Sequence, residues 1–360
     1  MQNRVIIHVI YSLGRGGAET MLVKVIKSLP EYQHVVITLD PDNRFGNELE
    51  CTAYHCLRTP KPHQLPLAIW RLRKLINQYQ PAIVHSHLFW PTIAARLATK
   101  RTIPLVTTIH AFIATSIEYK RGYIIWLDKI TYKYRPSTIV AVAKGALEEY
   151  FQFLNLKPGK HHVLYTFADT KQFKISPQAE EKKASKVFKL VSLGALRTQK
   201  NQQLLIRAMH VLKDEPISLD IYGDGPLRSS LEALLKQYPA NVNLMGEVKN
   251  IQNILPAYDL MVMSSTFEGF SLAVLEAMAL QLPLLLSNIA SFKEQAADAS
   301  LYFNLTDEQQ LVAQIRILQT NPALRKEMGQ IAFQRLQNAF TLEHHLAGIR
   351  KIYLDELAAS

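Results

Sequence analysis

Short runs of aliphatic and β-branched residues alternate with stretches of helical periodicity along the whole chain, and the alternation restarts once. In the first half the strand candidates are Val5–Tyr11, Val35–Leu39, Ile83–His85, Leu105–Ile109 and Thr138–Val142. Helical periodicity falls between them over Glu19–Leu29, Leu67–Gln78, Thr92–Ala98 and Lys144–Phe151. After a polar, lysine-rich stretch, Lys171–Lys186, strand candidates return at Lys189–Leu193, Ser218–Tyr222, Val242–Met245, Leu260–Met263 and Leu284–Ser287. Alternation of this kind builds parallel sheets covered by helices, because parallel neighbours need a long crossover. At 360 residues the chain also exceeds one comfortable core. The sequence therefore predicts an α/β protein of two doubly wound halves, joined near residues 166–186. The last helical stretch, Leu342–Leu357, follows the second half and is compatible with packing on either one.

The bulk composition narrows the class. Hydrophobic residues make up 48% and charged residues 20%, which describes a packed globular chain. No apolar stretch approaches the roughly 20 residues that span a bilayer. The run Val5–Ile10 is short and lacks a small-residue cleavage site, so it reads as a first strand and not as a signal peptide. Two cysteines, Cys51 and Cys56, support neither a disulfide framework nor a zinc site, and a reducing cytosol is the natural home. The net charge of +11 is placed unevenly: residues 1–170 carry 21 Lys+Arg against 11 Asp+Glu, and the remainder 20 against 19. The first half thus suits an anionic partner, although a generically basic, solvated surface gives the same count. The basic residues are dispersed over several elements and form no nucleic-acid recognition module.

The chemistry concentrates between Glu268 and Glu276. From Gly269 through Phe292 the only charged residue is Glu276, set within Leu272-Ala-Val-Leu-Glu-Ala-Met-Ala-Leu280. A carboxylate in such surroundings needs a partner or a ligand to offset its desolvation. Gly269, Phe270 and Ser271 read as a loop opening a helix, with Ser271 as its N-cap. Free N–H groups at a helix start attract anions, phosphate included. Glu276 is expected about two turns below that end. A diphosphate flanked by hydroxyl-bearing groups fits this array; a core helix whose glutamate is salt-bridged elsewhere is the plainer alternative.

Further candidates sit where strands end, the usual ligand-binding rim of such sheets. Strand one runs into Gly14-Arg15-Gly16-Gly17-Ala18-Glu19, whose glycines allow close backbone approach but lack the G-x-G-x-x-G spacing. The loop Gly194-Ala-Leu-Arg-Thr-Gln-Lys-Asn201 brings Arg197 and Lys200 to the rim, where cations suit a diphosphate or are simply solvated. Tyr222-Gly-Asp-Gly-Pro226 reads as a structural turn. His110 closes the strand before it and can bond a sugar hydroxyl or shuttle a proton, unless it is structural. His85 and His87 point the same way along one strand like a metal pair, but no third ligand stands at suitable spacing. Asp40-Pro-Asp42 has the D-x-D form of some metal-holding sites and reads here as a plain turn.

Taken in order, these segments resemble glycosyltransferase family 4, the retaining, metal-independent group with the GT-B fold. The resemblance rests on Gly16-Gly17-Ala18-Glu19, Ile83-Val-His-Ser-His87, Thr108-Ile-His110, Lys200-Asn201, Tyr222–Pro226 and above all Glu268 with Glu276. It implies two Rossmann-like domains facing across a cleft: residues 1–166 on the acceptor side, with the helix 342–360 packing back on them, and residues 167–341 holding the nucleotide sugar. Glu276 would hold the donor ribose, while Glu268 and the backbone of Gly269, Phe270, Ser271 and Leu272 contact the donor sugar and diphosphate. Lys200 would face the diphosphate, Gly16 and Gly17 lie near the phosphates, and His110 stand at the transferred sugar; Arg197, two residues past Ala195, is a candidate for the cation missing there. Two positions depart from the family: Ala195 replaces a common Arg after the phosphate-loop glycine, and Thr166-Phe167 replaces a common Asn-Gly at the domain crossover.

The resemblance implies transfer of a hexose-type sugar from a UDP- or GDP-sugar to a glycan or lipid-linked acceptor, in bacterial cell-surface polysaccharide, lipopolysaccharide or glycolipid synthesis. No cofactor beyond the donor, no metal and no nucleic acid is expected. Aromatics and cations mix from Tyr119 through Trp126 to Lys129, Tyr132, Lys133, Tyr134 and Arg135, as at a membrane interface or on a core helix with a basic outer face. A peripheral location at the cytoplasmic face of the cell membrane is therefore expected. Two rivals remain at this level, a GT-B-type sugar-nucleotide epimerase and a catalytically inactive basic module for membrane or nucleic acid.

Overall fold

The computed structural model describes residues 4–14, 16–110, 112–113, 118–171, 173, 187–248 and 250–359. Most of the lysine-rich stretch Lys171–Lys186 lies outside them. The chain forms two compact units: unit 1 is Met1–Thr166 with Glu343–Ser360, and unit 2 is Phe167–Leu342.

Unit 1 contains seven strands, β1 (Val5–Ile10), β2 (Gln33–Thr38), β3 (Ala53–Cys56), β4 (Ile83–His87), β5 (Leu105–Ile109), β6 (Thr138–Ala141) and β7 (His161–Val163). Between them run α1 (Gly17–Lys27), α2 (Leu65–Tyr79), α3 (Phe89–Ala98), α4 (Gly122–Tyr134) and α5 (Lys144–Phe153). Unit 2 has six strands, β8 (Phe188–Leu193), β9 (Ile217–Tyr222), β10 (Val242–Gly246), β11 (Leu260–Met263), β12 (Leu284–Ser287) and β13 (Ser300–Phe303). Its helices are α6 (Gln202–Val211), α7 (Arg228–Gln237), α8 (Ile251–Ile254), α9 (Leu272–Ala279), α10 (Ala290–Ala296), α11 (Glu308–Thr320) and α12 (Pro322–Ala339). The last helix, α13 (Leu342–Ala358), sits on unit 1. There Tyr353 Oη bonds His85 Nδ1 at 2.7 Å, Glu356 accepts from Thr138 at 2.7 Å, and Arg350 donates to Glu31 at 2.6 Å.

The sheets run in the order β3-β2-β1-β4-β5-β6-β7 and β10-β9-β8-β11-β12-β13, with every named pair parallel. Each is the doubly wound order, in which the chain reverses its direction of winding beside the first strand of the unit. The crevices this leaves at the carboxyl ends of β1/β4 and of β8/β11 are where such sheets bind ligands. The inner strands are largely buried, and the most apolar of them read in sequence as unbroken apolar runs, such as Leu260–Met263. Three strands escape that reading. β3 and β7 are edge strands that are only partly buried and carry Cys and His, and β13 offers four residues beginning with Ser.

Candidate functional site

In unit 2 the β8/β11 crevice is closed by two loops stitched together. The loop after β8 leaves through Gly194, whose φ of +146° an L side chain rarely adopts, and an added Cβ would lie 2.9 Å from Lys200 Cε. Glycine there lets the Lys200 stem lie flat on the backbone. Lys200 O and Asn201 O both accept from Ser264 Oγ, at 2.9 and 3.0 Å. Thr266 N donates to Gln199 O at 2.8 Å, and Gln199 Nε2 donates to Phe267 O at 3.0 Å. The glycine turn after β9 backs the loop, with Leu196 N bonding Asp224 O at 3.0 Å.

This stitching delivers Lys200 Nζ to Glu268 Oε1 at 2.5 Å, and Ser265 Oγ donates to the same oxygen at 2.6 Å. Glu268 is buried and Lys200 largely so. A desolvated, charge-assisted pair of this kind is pre-aimed, because neither partner is free to reorient. A ligand that engages either group meets a charge already positioned.

Glu268 opens directly into the start of α9. Ser271 is the N-cap residue, but its hydroxyl makes no cap bond; the backbone is clamped by Gln295, which accepts from Ser271 N at 3.1 Å and donates to Ser271 O at 2.7 Å. The first N–H groups of α9 therefore face the crevice without a serine oxygen across them. Phe270 turns its ring into the unit, edge-on to Phe340 with centroids 5.1 Å apart, so only its backbone is offered to the rim. Gly269 and Leu272 are half-buried beside it. Glu276 is half-buried too, and since α9 begins at Leu272 it stands little more than one turn below the helix start. The deeply buried glutamate is Glu268, not Glu276, contrary to what the apolar surroundings of Glu276 in sequence suggest: one face of this short helix stays open. Arg197 is exposed, apart from the Lys200–Glu268 pair.

In unit 1 the glycine loop leads into α1 with Gly16 as its N-cap. The carboxylate of Glu19 folds back to the Gly16 and Glu19 backbone N–H groups; burial raises its pKa, and those bonds partly oppose the rise. The anion expected near Gly16 and Gly17 is thus supplied, in this state, by the helix's own third residue. His110 follows β5 on the wall of a cavity of about 480 Å³, which is also lined by Tyr11, Phe89, Trp90, Tyr119 and Asp128. Its Nε2 lies 3.2 Å from His87 Nδ1. Desolvation, with His345 nearby, lowers its pKa to about 4, so at neutral pH it is an uncharged hydrogen-bonding group. Below the cavity, fully buried Arg96 pairs with Asp128 at 2.5 Å and donates to Tyr150 Oη at 2.9 Å. Asp40 and Asp42 form a turn in which Asp42 N donates to Asp40 Oδ1 at 2.9 Å.

Sequence reasoning missed Ser264, Ser265, Gln199 and Gln295, which hold the charged residues in place, and Leu88, whose φ of +68° marks the turn from β4 into α3 at the cavity mouth. It also missed that His8 on β1 joins His85 and His87.

Comparison with known proteins agrees with this geometry. Residues 174–335 match the model of the Glycosyl transferases group 1, and residues 15–172 match that of Glycosyltransferase Family 4. An N-acetylgalactosaminyltransferase of Campylobacter jejuni, named as acting on N-acetylgalactosamine-N,N'-diacetylbacillosaminyl-diphospho-undecaprenol, is 29% identical over 75% of this chain and 77% of its own. An Escherichia coli enzyme named UDP-Gal:alpha-D-GlcNAc-diphosphoundecaprenol alpha-1,3-galactosyltransferase is 26% identical over 79% and 78%. Among solved structures, a glycosyltransferase from Rickettsia africae superposes with a TM-score of 0.85 at 18% identity over the whole of both chains. The Anabaena protein HepE, in complex with UDP, does so with 0.85 at 18% over 97% and 99%. With both halves matched in order and the fold that of the GT-B class, the chain belongs to the family 4, group 1 glycosyltransferases, and is an enzyme of that kind.

Proposed function

We propose that the protein transfers a hexose-type sugar, with retention, from a nucleoside-diphosphate sugar to a lipid-linked or glycan acceptor in bacterial cell-surface polysaccharide synthesis. The observation that carries this reading is the Lys200–Glu268 pair, held at 2.5 Å in the crevice beside the start of α9. A donor diphosphate placed there meets Lys200 and the uncapped N–H groups of α9, both suited to the charge that grows on the leaving phosphate. Arg197, exposed on the same loop, is free to swing in and takes the part of the arginine absent at Ala195. Glu276 accepts the ribose hydroxyls, and Glu268 positions the donor sugar.

In the step itself the acceptor oxygen bonds the anomeric carbon on the face from which the diphosphate departs. The carbon–oxygen bond to phosphate breaks, and the acceptor proton passes to the leaving phosphate oxygen. No protein carboxylate serves as nucleophile, and the cations of the loop take the place that a divalent ion on the diphosphate would fill. His110, neutral at working pH, bonds a hydroxyl of the transferred sugar. The names of the relatives support a uridine diphosphate sugar and a diphospho-undecaprenol acceptor; a guanosine donor is the alternative.

A peripheral membrane location is supported by α4. Tyr123, Trp126, Ile130 and Tyr134 are exposed along it, with Lys129 and Lys133 beside them and Lys120 and Arg121 at its start. Its outer face is therefore aromatic and cationic, not merely basic, as an interfacial helix requires. No helix among the described residues is long and apolar enough to cross a membrane.

The deciding experiment combines a thermal-shift screen of UDP- and GDP-sugars with product analysis on diphospho-undecaprenol-linked saccharides. A stabilising donor, present at 100 times its dissociation constant, adds about 2.7 kcal/mol. A lengthened, α-linked acceptor product is expected. An epimerised nucleotide sugar with no acceptor change would overturn the transfer reading.

A further inference from the structure

Eleven of the twelve histidines lie in unit 1, and six of them, His8, His34, His85, His87, His110 and His345, form one continuous buried or half-buried cluster. Strand geometry assembles its centre. His8 on β1 is in register with His85 on β4, and the two-residue period of a strand brings His87 to the same face. Ring centroids are 4.2 Å apart for His85 and His87, 5.6 Å for His8 and His85, and 5.8 Å for His8 and His87. One ring nitrogen from each of the three lies within 4.8 Å of the other two. They border a small cavity of about 20 Å³, room for a single water or ion.

The hydrogen bonds assign the protons. His34 Nε2 lies 3.0 Å from Leu29 O, a carbonyl that can only accept, so neutral His34 carries its lone pair on Nδ1. That atom lies 3.0 Å from His8 Nε2, which must therefore be the donor. His8 Nδ1 is left as a bare lone pair, fully buried and without a partner. His87 Nε2 is likewise buried and unpartnered, while its Nδ1 faces His110. His85 is engaged at both nitrogens, by Tyr353 Oη and Thr108 Oγ1, each at 2.7 Å. The imidazole form with a free lone pair, as at His8 Nδ1, is the one that ligates metals.

We propose that unit 1 binds one divalent transition-metal ion of the zinc class, ligated by His8, His85 and His87, pinning β1 to β4. Imidazole donors with no carboxylate select zinc, copper or nickel over magnesium, calcium or manganese. Nitrogens bound tetrahedrally to one ion at about 2.0–2.1 Å lie about 3.4 Å apart, so three ligand atoms that now lie within 4.8 Å of one another close by up to about 1.4 Å. His85 joins by releasing one of its two hydroxyl partners. His34 and His110 then hold His8 and His87 from outside, the arrangement that fixes the orientation of a ligating histidine. This ion is separate from any ion on the donor diphosphate, and the inference stands whether or not the transfer reading does.

The test uses the full chain without an affinity tag. Elemental analysis of the purified protein, then titration of the stripped protein with ZnCl₂ and CoCl₂, is expected to give one ion per chain and the visible absorption of a four-coordinate cobalt site. His8→Asn and His87→Gln should each weaken binding at least about a hundredfold, and His34→Ala about 10–100-fold. His161→Ala and His162→Ala, which remove exposed or half-exposed imidazoles elsewhere in unit 1, should change nothing. Substoichiometric uptake by the wild type, an absorption of six-coordinate cobalt, or binding undiminished in His8→Asn and His87→Gln would overturn the proposal and leave the cavity to a water molecule. The wild-type cobalt spectrum decides the matter even if a variant fails to fold.

Discussion

The two units share one strand order and differ in where they put their polar groups. Unit 2 keeps its sheet apolar, with Leu190, Leu219, Ile221, Val262 and Leu285 in the core, and places its working charges on rim loops. Unit 1 buries polar groups within the fold itself: a histidine layer on one sheet face and the Arg96–Asp128 pair beneath a 480 Å³ cavity. Topology locates the crevice in both; in unit 2 the side chains there form a compact charged array, with Lys200 on Glu268. On the proposed function the contrast divides the labour, with unit 2 meeting the anionic donor and unit 1 offering a roomy, aromatic-walled recess.

The sharpest way to break the comparison is at Arg96. Its guanidinium is wholly buried and shared between Asp128 and Tyr150, and Tyr119 also bonds Asp128. Arg96→Leu strands a buried carboxylate, and losing one partner of such a pair costs about 3–5 kcal/mol. Arg96→Leu combined with Asp128→Leu should recover most of that loss, since the pair itself contributes little over apolar packing. Urea unfolding of the wild type and of both variants checks both statements. A single mutant within about 1 kcal/mol of wild type would mean that unit 1 does not depend on its buried charges.

In unit 2 the equivalent test concerns rate and not stability. Lys200→Ala should lower turnover about 10²–10³-fold with a smaller change in donor affinity, because leaving-group charge grows toward the transition state. Arg197→Ala should cost less, its side chain being exposed. Added Mg²⁺ or Mn²⁺ should change the wild-type rate little. A strict requirement for either would move attention to Asp40 and Asp42 in unit 1. Glu276→Ala follows in size: losing charge-assisted bonds of roughly 1.5–3 kcal/mol should weaken the donor at least about tenfold in calorimetry. An unchanged affinity would sink the ribose assignment.

How far these differences were legible in the sequence depends on the range of the interaction. The most apolar inner strands, such as Leu260–Met263, announce themselves locally, because burial on both faces favours an unbroken apolar run. Glu268 and Glu276 stand out for the complementary reason, as charges beside or within such a run. What sequence could not show is pairing through space. Arg96, in Thr92-Ile-Ala-Ala-Arg96, reads as an ordinary helix-end cation until Asp128, 32 residues away, is found against it. Ser265 and Gln295 are unremarkable polar residues until the structure sets them on Glu268 and Ser271. His8 lies far from His85 in sequence, and only the β1/β4 register makes them neighbours.

The histidine asymmetry makes the units differ in acid. His345, buried on α13 with Nδ1 bonded to Tyr165 O at 2.8 Å, has its pKa lowered by desolvation to about 4. In the unfolded chain it titrates near 6.5, so below that pH the unfolded state binds more protons and stability falls as pH falls. The loss begins near pH 6.5, grows by at most about 1.4 kcal/mol per unit and levels off near pH 4. His345→Gln should lower the slope of that part of the stability–pH curve, measured by denaturant unfolding, by the share of one of several buried histidines. A curve of unchanged slope would show that His345 does not contribute.

The smallest effect per residue, and the one that bears on where the enzyme works, lies on the outer face of α4. Tyr123, Trp126, Ile130 and Tyr134 give it an exposed aromatic and apolar stripe that unit 2 is not expected to match, and Lys120, Arg121, Lys129 and Lys133 lie alongside. Each cation near an anionic bilayer contributes about 1 kcal/mol, while the rings settle at the headgroup level. Flotation with vesicles containing anionic lipid should therefore carry the protein at low salt and release much of it at 1 M, where the Debye length shrinks to about 3 Å. Lys129→Ala with Lys133→Ala should weaken binding by about 2 kcal/mol and steepen nothing else. Trp126→Ser should weaken it in a way that salt does not mimic, since it removes apolar insertion and not charge. If the wild type stays with the aqueous fraction on anionic vesicles at low salt, the α4 face is not an interfacial one and a water-soluble acceptor becomes the better reading of the unit 1 cavity.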